Sequence, residues 1–229
     1  MWDKGWDRLF SRLEWGCYPG EELIRFISRN FYRITNRKNI NILEVGCGSG
    51  ANLWYLAREG FKTYGFDGSS IALERAEDYL KKENLTANLK QGDAMNLPYD
   101  DSSFDVVLDI ECLYANSLFD TSVILQEIYR VLKPGGWIYS KTFSTGMSGE
   151  KTGLRMVDEP NTFLEMPDGP LHKDYGIIRL TSEEEINKIY HLFSEIEYDY
   201  ISRTDKNRSK EIIEWVIQGR KKVSPPKDS

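Results

Sequence analysis

From residue 41 to 143, segments that read as strands alternate with segments that read as helices. That alternation admits few architectures, chiefly a parallel sheet whose crossover helices cover its faces. The strand-like runs are NILEV (41–45), KTYGF (62–66), ANLKQ (87–91), FDVVLDI (104–110) and WIYSKTF (137–143). Between them, ANLWYLAREG sets Leu53, Leu56 and Ala57 on one helical face and stops at Gly60, while SSIALERAEDYLKKE opens on serine caps. A third helix, TSVILQEIYRVL, runs into KPGG, which cannot continue it. Further on, TSEEEINKIYHLF carries a capping-box start. The runs IEYDYISRT and EIIEWVIQGRK after it are expected to pair as an antiparallel hairpin at the sheet edge. The expected fold is a doubly wound α/β sheet of seven strands, mostly parallel, with that hairpin at one edge.

The chain has 229 residues and is 40% hydrophobic, enough for one core of ordinary size. Its 30 Lys and Arg against 36 Asp and Glu leave a formal charge of -6, which works against sequence-independent attraction to nucleic acid. Cys17, Cys47 and Cys112 are scattered and odd in number, suggesting neither a disulfide framework nor a thiolate zinc site and fitting a reducing, cytoplasmic setting. No apolar run approaches a membrane span, so no membrane partner is expected. The sequence leaves the oligomeric state open.

The reading divides the chain into an N-terminal helical flank or lid (1–38), a main domain (39–222) and a disordered tail, SPPKDS, within 223–229. The flank contains the amphipathic GEELIRFISRNFYRI, with Leu23, Ile24, Phe26, Ile27 and Phe31 to one side. Residues 144–176 lack periodicity, and an irregular insertion of that length is usually functional or disordered.

The turn after the first strand carries the chemistry. Gly46 and Gly48 let the backbone turn sharply and allow a ligand to approach the main chain. Read with Ala51, the spacing also satisfies the looser dinucleotide pattern G-x-G-x-x-A, so the turn alone fits either of two nucleoside cofactors. Asp67, ending the second strand, can accept hydrogen bonds from ribose hydroxyls, which both cofactors carry.

Taken in order, Glu44 with Gly46, Gly48 and Gly50 (E-x-G-x-G-x-G), Asp67, GDA at Gly92 to Ala94, FDVV from Phe104 and LKPGG from Leu132 resemble the class I S-adenosylmethionine-dependent methyltransferases. The resemblance covers about residues 40 to 143. It implies a Rossmann-like sheet, S-adenosyl-L-methionine as cofactor, and a set of roles. Gly46 and Gly48 would lie under the cofactor's amino acid and ribose, Asp67 would hold the ribose, and Gly68 would leave room beside the adenine. Asp93 would bond the adenine amine, the Ala94 backbone would support the ring, and Ile110 would touch the methionine portion. The segment DIECLYANS departs from the family pattern at Asp109, Glu111 and Tyr114, which are expected to face the substrate. W-G-x-Y-P at Trp15 to Pro19 resembles the start of a subset of bacterial small-molecule methyltransferases, some linked to surface-carbohydrate pathways.

Methyl transfer from a sulfonium is an in-line displacement, so the protein must align the acceptor and, where the acceptor starts protonated, supply a base. The candidate bases are His172, near the end of the insertion, and Glu111, where the fourth strand opens into the crevice. Trp15, Tyr18 and Tyr114 are the candidate substrate contacts, with Glu14, Glu21 and Glu22 nearby, and His191 reads as structural. YDDSSFD precedes the fourth strand and reads as a loop, so no metal is expected. The expected acceptor is a hydroxyl of a small polar metabolite, with a sugar or nucleotide-linked sugar favoured. Transfer to nitrogen or carbon, a non-catalytic cofactor-binding module, and an NAD-dependent oxidoreductase are the competing readings.

Overall fold

The computed structural model describes residues 3–169, 171 and 176–223. Its main sheet contains β1 (Asn41–Val45), β2 (Lys62–Asp67), β3 (Asn88–Gln91), β4 (Phe104–Ile110) and β5 (Leu132–Phe143), followed by β9 (Ser194–Asp205) and β10 (Lys210–Arg220). The spatial order is β3-β2-β1-β4-β5-β10-β9. The first five strands pair in parallel, β10 is antiparallel to β5, and β9 is antiparallel to β10. This is the doubly wound sheet the alternation implies. Its strand order reverses between β1 and β4, and that reversal opens a crevice at their carboxyl ends.

The two faces of the sheet follow the strand period. Ile42, Val106, Leu108 and Tyr139 pack against α2 (Glu21–Phe31), which buries Leu23, Phe26, Ile27 and Phe31. Leu43, Val107 and Ile138 point the other way, onto α5 (Leu118–Val131) and α6 (Glu183–Ile189). Each fully buried aliphatic or aromatic side chain contributes about 1.5–3 kcal/mol, so these two layers supply much of the cohesion. Crossover helices α3 (Ala51–Arg58) and α4 (Ser70–Lys82) follow β1 and β2.

Several boundaries differ from the sequence reading. Helix α5 starts at Leu118 because the Ser117 hydroxyl accepts from the Asp120 amide, and β5 begins at Leu132 with KPGG inside it. The glycines are accommodated there because the Gly135 amide donates to the Lys221 carbonyl and the Lys221 amide to that of Gly136. Helix α6 has its capping box, with the Ser182 amide donating to Glu185 Oε2 at 2.9 Å, but ends at Ile189. His191 therefore lies beyond the helix, exposed, with Nδ1 2.9 Å from the Lys188 carbonyl.

The described part of the insertion is structured. Within and just after it, β6 (Leu154–Arg155), β7 (Thr162–Glu165) and β8 (Ile178–Arg179) form a small antiparallel sheet. Phe163, Met166, Ile178 and Met147 make a separate apolar cluster with Tyr114 and Phe143. Strands of two to four residues are too short to produce a readable period. A further helix, α1 (Gly5–Arg12), precedes α2 and buries Leu9 and Phe10. The tail SPPKDS and His172 lie outside the described residues. Among the described residues, no helix is long and apolar enough to cross a membrane.

Candidate active site

A cavity of about 340 Å³ occupies the crevice at the strand reversal. Gly46, Gly48, Asp67, Gly68, Asp93, Ala94 and Ile110 all line it, as do Glu111, Trp15, Tyr18 and Tyr114. Residues spread over a hundred positions of sequence are thus gathered at one place.

The turn beneath the cavity works because of two glycines. Gly46 has φ 72°, and a Cβ there would overlap the Cys112 thiol in the turn leaving β4. Only a residue without a side chain lets the turns after β1 and β4 meet. Gly48, at φ 51°, donates its amide to Asp67 Oδ2 at 2.8 Å, while Asp67 Oδ1 accepts from the Ser69 amide at 2.8 Å. Burial pushes the Asp67 pKa upward against these two bonds. Each carboxylate oxygen retains a second lone pair, so the group can still accept from a ligand.

This arrangement distinguishes the two cofactors that the glycine spacing admits. A dinucleotide's pyrophosphate is held by outward-facing backbone amides at such a turn. Here the Gly48 amide is committed to a carboxylate, and six acidic residues line the cavity (Asp3, Glu22, Glu44, Asp67, Asp93 and Glu111). Lys141 is the one basic side chain among the described lining residues. An acidic cavity suits a cationic sulfonium nucleoside with an ammonium group and repels phosphates.

Glu44 strengthens the fit. It is 2% exposed, its Oε1 accepts from Asn52 Nδ2 at 2.6 Å, and Oε2 has no hydrogen-bond partner among the described residues. Burial pushes its pKa up to about 8. An orphaned buried oxygen beside the glycine turn is a place for a ligand donor. Asp93 Oδ1 accepts from the Met95 amide at 3.0 Å, and the Gln91 side-chain Nε2 donates to the Gly68 carbonyl at 3.0 Å, which shapes the rim next to Ala94.

The N-terminal flank roofs the cavity. Phe10 lies 3.4 Å from where a Gly48 Cβ would stand, and it packs on Trp15 with ring centroids 5.0 Å apart. Trp6 meets the Tyr114 ring edge-on at 6.4 Å. Polar bonds fasten this roof to α4, from the Ser69 hydroxyl to Asp7 (2.6 Å), from Arg75 to the Leu13 carbonyl (2.8 Å) and from Tyr79 to the Cys17 carbonyl (2.8 Å). Tyr18 is 74% exposed but stands edge-on against Trp54 at the rim. Within the helical flank expected over 1–38, helix α1, with Trp6, Asp7 and Phe10, is signalled only by the apolar positions Trp6, Leu9 and Phe10, in a segment too short for firm periodicity.

At the opposite end, Glu111 and Tyr114 line the cavity as expected, but Asp109 does not. Asp109 is fully buried; Oδ1 accepts from the Cys112 and Leu113 amides at 3.1 and 3.0 Å, and Oδ2 accepts from the Ser140 hydroxyl. It lies within β4, where alternation turns it inward, and burial raises its pKa to about 6. Lys141 also lines this end, 3.0 Å from Glu111 Oε1. His172 cannot be placed relative to it, because it falls outside the described residues.

The sheet order, the acid-capped glycine turn and the roofed cavity are the features of the class I S-adenosylmethionine-dependent methyltransferase fold. A methyltransferase-domain family profile matches residues 42–136, and the comparisons support S-adenosylmethionine as the cofactor. The chain is 32% identical over 144 residues to a sterol 24-C-methyltransferase of Neurospora crassa, covering 59% of this chain and 37% of that protein. It is 33% identical over 121 residues to a fatty-acid O-methyltransferase of Mycolicibacterium smegmatis, covering 51% and 43%. The chain thus spans about two fifths of the length of these relatives. A solved S-adenosylmethionine-dependent methyltransferase of Methanosarcina mazei superposes with a TM-score of 0.72 at 23% identity, covering 90% of this chain and all of that one, and shares the fold.

Proposed function

We propose that the protein transfers a methyl group from S-adenosylmethionine to a hydroxyl of a small polar metabolite. The observation that carries this reading is the charged acceptor end of the cavity, where Glu111 and Lys141 sit side by side at 3.0 Å. A sterol or acyl chain would desolvate that pair without replacing its water, which is costly. A polyol satisfies it with hydroxyl groups.

The cofactor supplies an electrophilic methyl carbon on sulfur. Asp67 and Asp93 would hold donors of the nucleoside, Glu44 Oε2 would accept from a further donor, and the Trp6, Phe10 and Trp15 roof would exclude water. Glu111 accepts the hydroxyl proton as the acceptor oxygen attacks, and Lys141 keeps the Glu111 carboxylate charged until then. The preponderance of acidic lining residues favours an uncharged sugar over a nucleotide-linked one. The same charge balance supports a second reading, in which the acceptor is an amine drawn in as its cation. Cytoplasmic location, action without a metal, and a small-molecule partner without nucleic acid or membrane belong to this proposal.

The test is a panel of purified sugars, nucleotide sugars and small amines incubated with S-adenosylmethionine, with S-adenosylhomocysteine formation followed by mass spectrometry. Turnover with free polyols supports the reading. Turnover confined to amines selects the second one, and turnover confined to fatty acids or sterols overturns both.

A further inference from the structure

The sheet face beneath α2 carries two buried polar atoms without partners. Glu44 of β1 pairs with Leu108 of β4, and Leu108 with Tyr139 of β5, so Glu44, Leu108 and Tyr139 form one row across three strands. Neighbouring strands lie about 4.8 Å apart, which sets the backbones of Glu44 and Tyr139 roughly 10 Å from each other across Leu108. Both residues line the cavity, and they are 2% and 1% exposed. Glu44 Oε2 and the Tyr139 hydroxyl each lack a hydrogen-bond partner among the described residues.

The row runs from the cofactor side of the cavity to the acceptor side. Glu44 stands two residues before Gly46 in the glycine turn, whereas Tyr139 stands two residues before Lys141 on β5, which sets Tyr139 and Lys141 on one face. Lys141 Nζ is held between Glu111 Oε1 at 3.0 Å and Glu214 Oε1 of β10 at 2.9 Å. Helix α2 covers Tyr139. Its Phe26 packs on the phenol ring with centroids 4.6 Å apart, and Glu22 and Leu23, one turn nearer the helix start, line the cavity. The polar neighbour of Tyr139 on β10, Gln218, is turned away and donates to Glu197 at 2.5 Å. Ring packing thus fixes the phenol and leaves its hydroxyl unserved. Burial, with the Glu22 and Glu214 carboxylates nearby, pushes the Tyr139 pKa upward, so the hydroxyl keeps its proton and is a donor. A buried donor without a partner is costly, and a ligand oxygen in the cavity removes that cost.

We propose that Tyr139 is a specificity-determining residue of the acceptor site, its hydroxyl donating to one oxygen of a bound polyol while another hydroxyl of the same molecule meets Glu111 and Lys141. The proposal rests on the reading of the acceptor as a hydroxyl compound, and it narrows that class. The acceptor carries at least two oxygens on separate carbons, one to receive the methyl group and one to pair with Tyr139. A simple alcohol satisfies one end only and is a poor substrate.

The test compares wild type with Tyr139→Phe, which keeps the ring against Phe26 and removes only the hydroxyl. Methyl transfer from labelled S-adenosylmethionine is followed into a dilution series of a metabolite extract, and S-adenosylhomocysteine affinity is measured by calorimetry on the same proteins. A half-saturating extract concentration raised roughly tenfold or more, with S-adenosylhomocysteine affinity unchanged, supports the proposal. An unchanged half-saturation overturns it. An equal loss of S-adenosylhomocysteine affinity also overturns it, because the phenol then serves the cofactor. Failure of the underlying reading is seen in wild type alone, as label confined to amines or lipids.

Discussion

The Gly48 amide donates to Asp67 Oδ2 at 2.8 Å, which ties the turn after β1 to the acid that ends β2. One carboxylate therefore both fixes the glycine turn and faces the cavity. Asp67→Ala is expected to weaken S-adenosylhomocysteine binding by about 1–3 kcal/mol through lost charge-assisted bonds. Calorimetric titration checks this, and an unchanged affinity removes the ribose role assigned to Asp67.

Glu44 makes stability depend on pH in a calculable direction. Burial holds its pKa near 8 in the folded chain against an ordinary 4.5, so the folded state keeps a proton that the unfolded state releases. Its favourable contribution is complete below pH 4.5 and is lost as pH rises to about 8. Glu44→Gln retains an acceptor for Asn52 and has no charge to bury. Its stability relative to wild type is therefore expected to improve between pH 5 and pH 9, at about 1.4 kcal/mol for each pH unit crossed within the window. Urea unfolding at several pH values measures it, and a constant difference between the two proteins contradicts the burial of an orphaned carboxyl.

Phe10 closes the roof over Gly48, and its ring is 6% exposed. Phe10→Ala removes that cover and is expected to speed cofactor-product dissociation by roughly tenfold, since a truncated buried aromatic costs a few kcal/mol shared between folding and binding. Stopped-flow displacement of S-adenosylhomocysteine reads the rate directly. An unaltered rate means that the helix is a flank with no part in retention.

The base can be assigned by comparing two variants. Glu111→Gln is expected to lower turnover by about 10²–10⁴ with cofactor affinity intact, the usual range for a lost general base. His172→Ala is expected to leave turnover nearly unchanged. The reverse pattern transfers the role to His172.

The sheet could be read from the sequence because each strand of the core is a run of buried residues bounded by polar turns, as NILEV and FDVVLDI are. The residues gathered at the glycine turn could be read because glycines and acids at strand ends have few other uses in this arrangement; Gly46, Gly48, Asp67, Asp93 and Ala94 all line the cavity. The charged end with Glu111 and Lys141 could not. Lys141 and Glu214 lie in strands whose alternation only says that one face is buried, and pairing across β4, β5 and β10 is what brings them to Glu111. Asp109 shows the same limit from the other side. It is expected at the substrate from its place two residues before Glu111, but it still lies in β4 and bonds Ser140, whereas Glu111 follows the strand at φ 58°, where the alternation is broken. Residues 144–176 looked like a loop because their strands are too short for a period to appear.

The measurement that tests the account most directly is incubation of the protein with S-adenosylmethionine carrying an isotopic label on the methyl group and a whole metabolite extract, followed by partition into water-soluble and lipid fractions. Label entering a water-soluble hydroxyl compound, and failing to do so with Glu111→Gln, is the result predicted by an acidic cavity with a charged acceptor end. Label found only in the lipid fraction, or in neither, contradicts it.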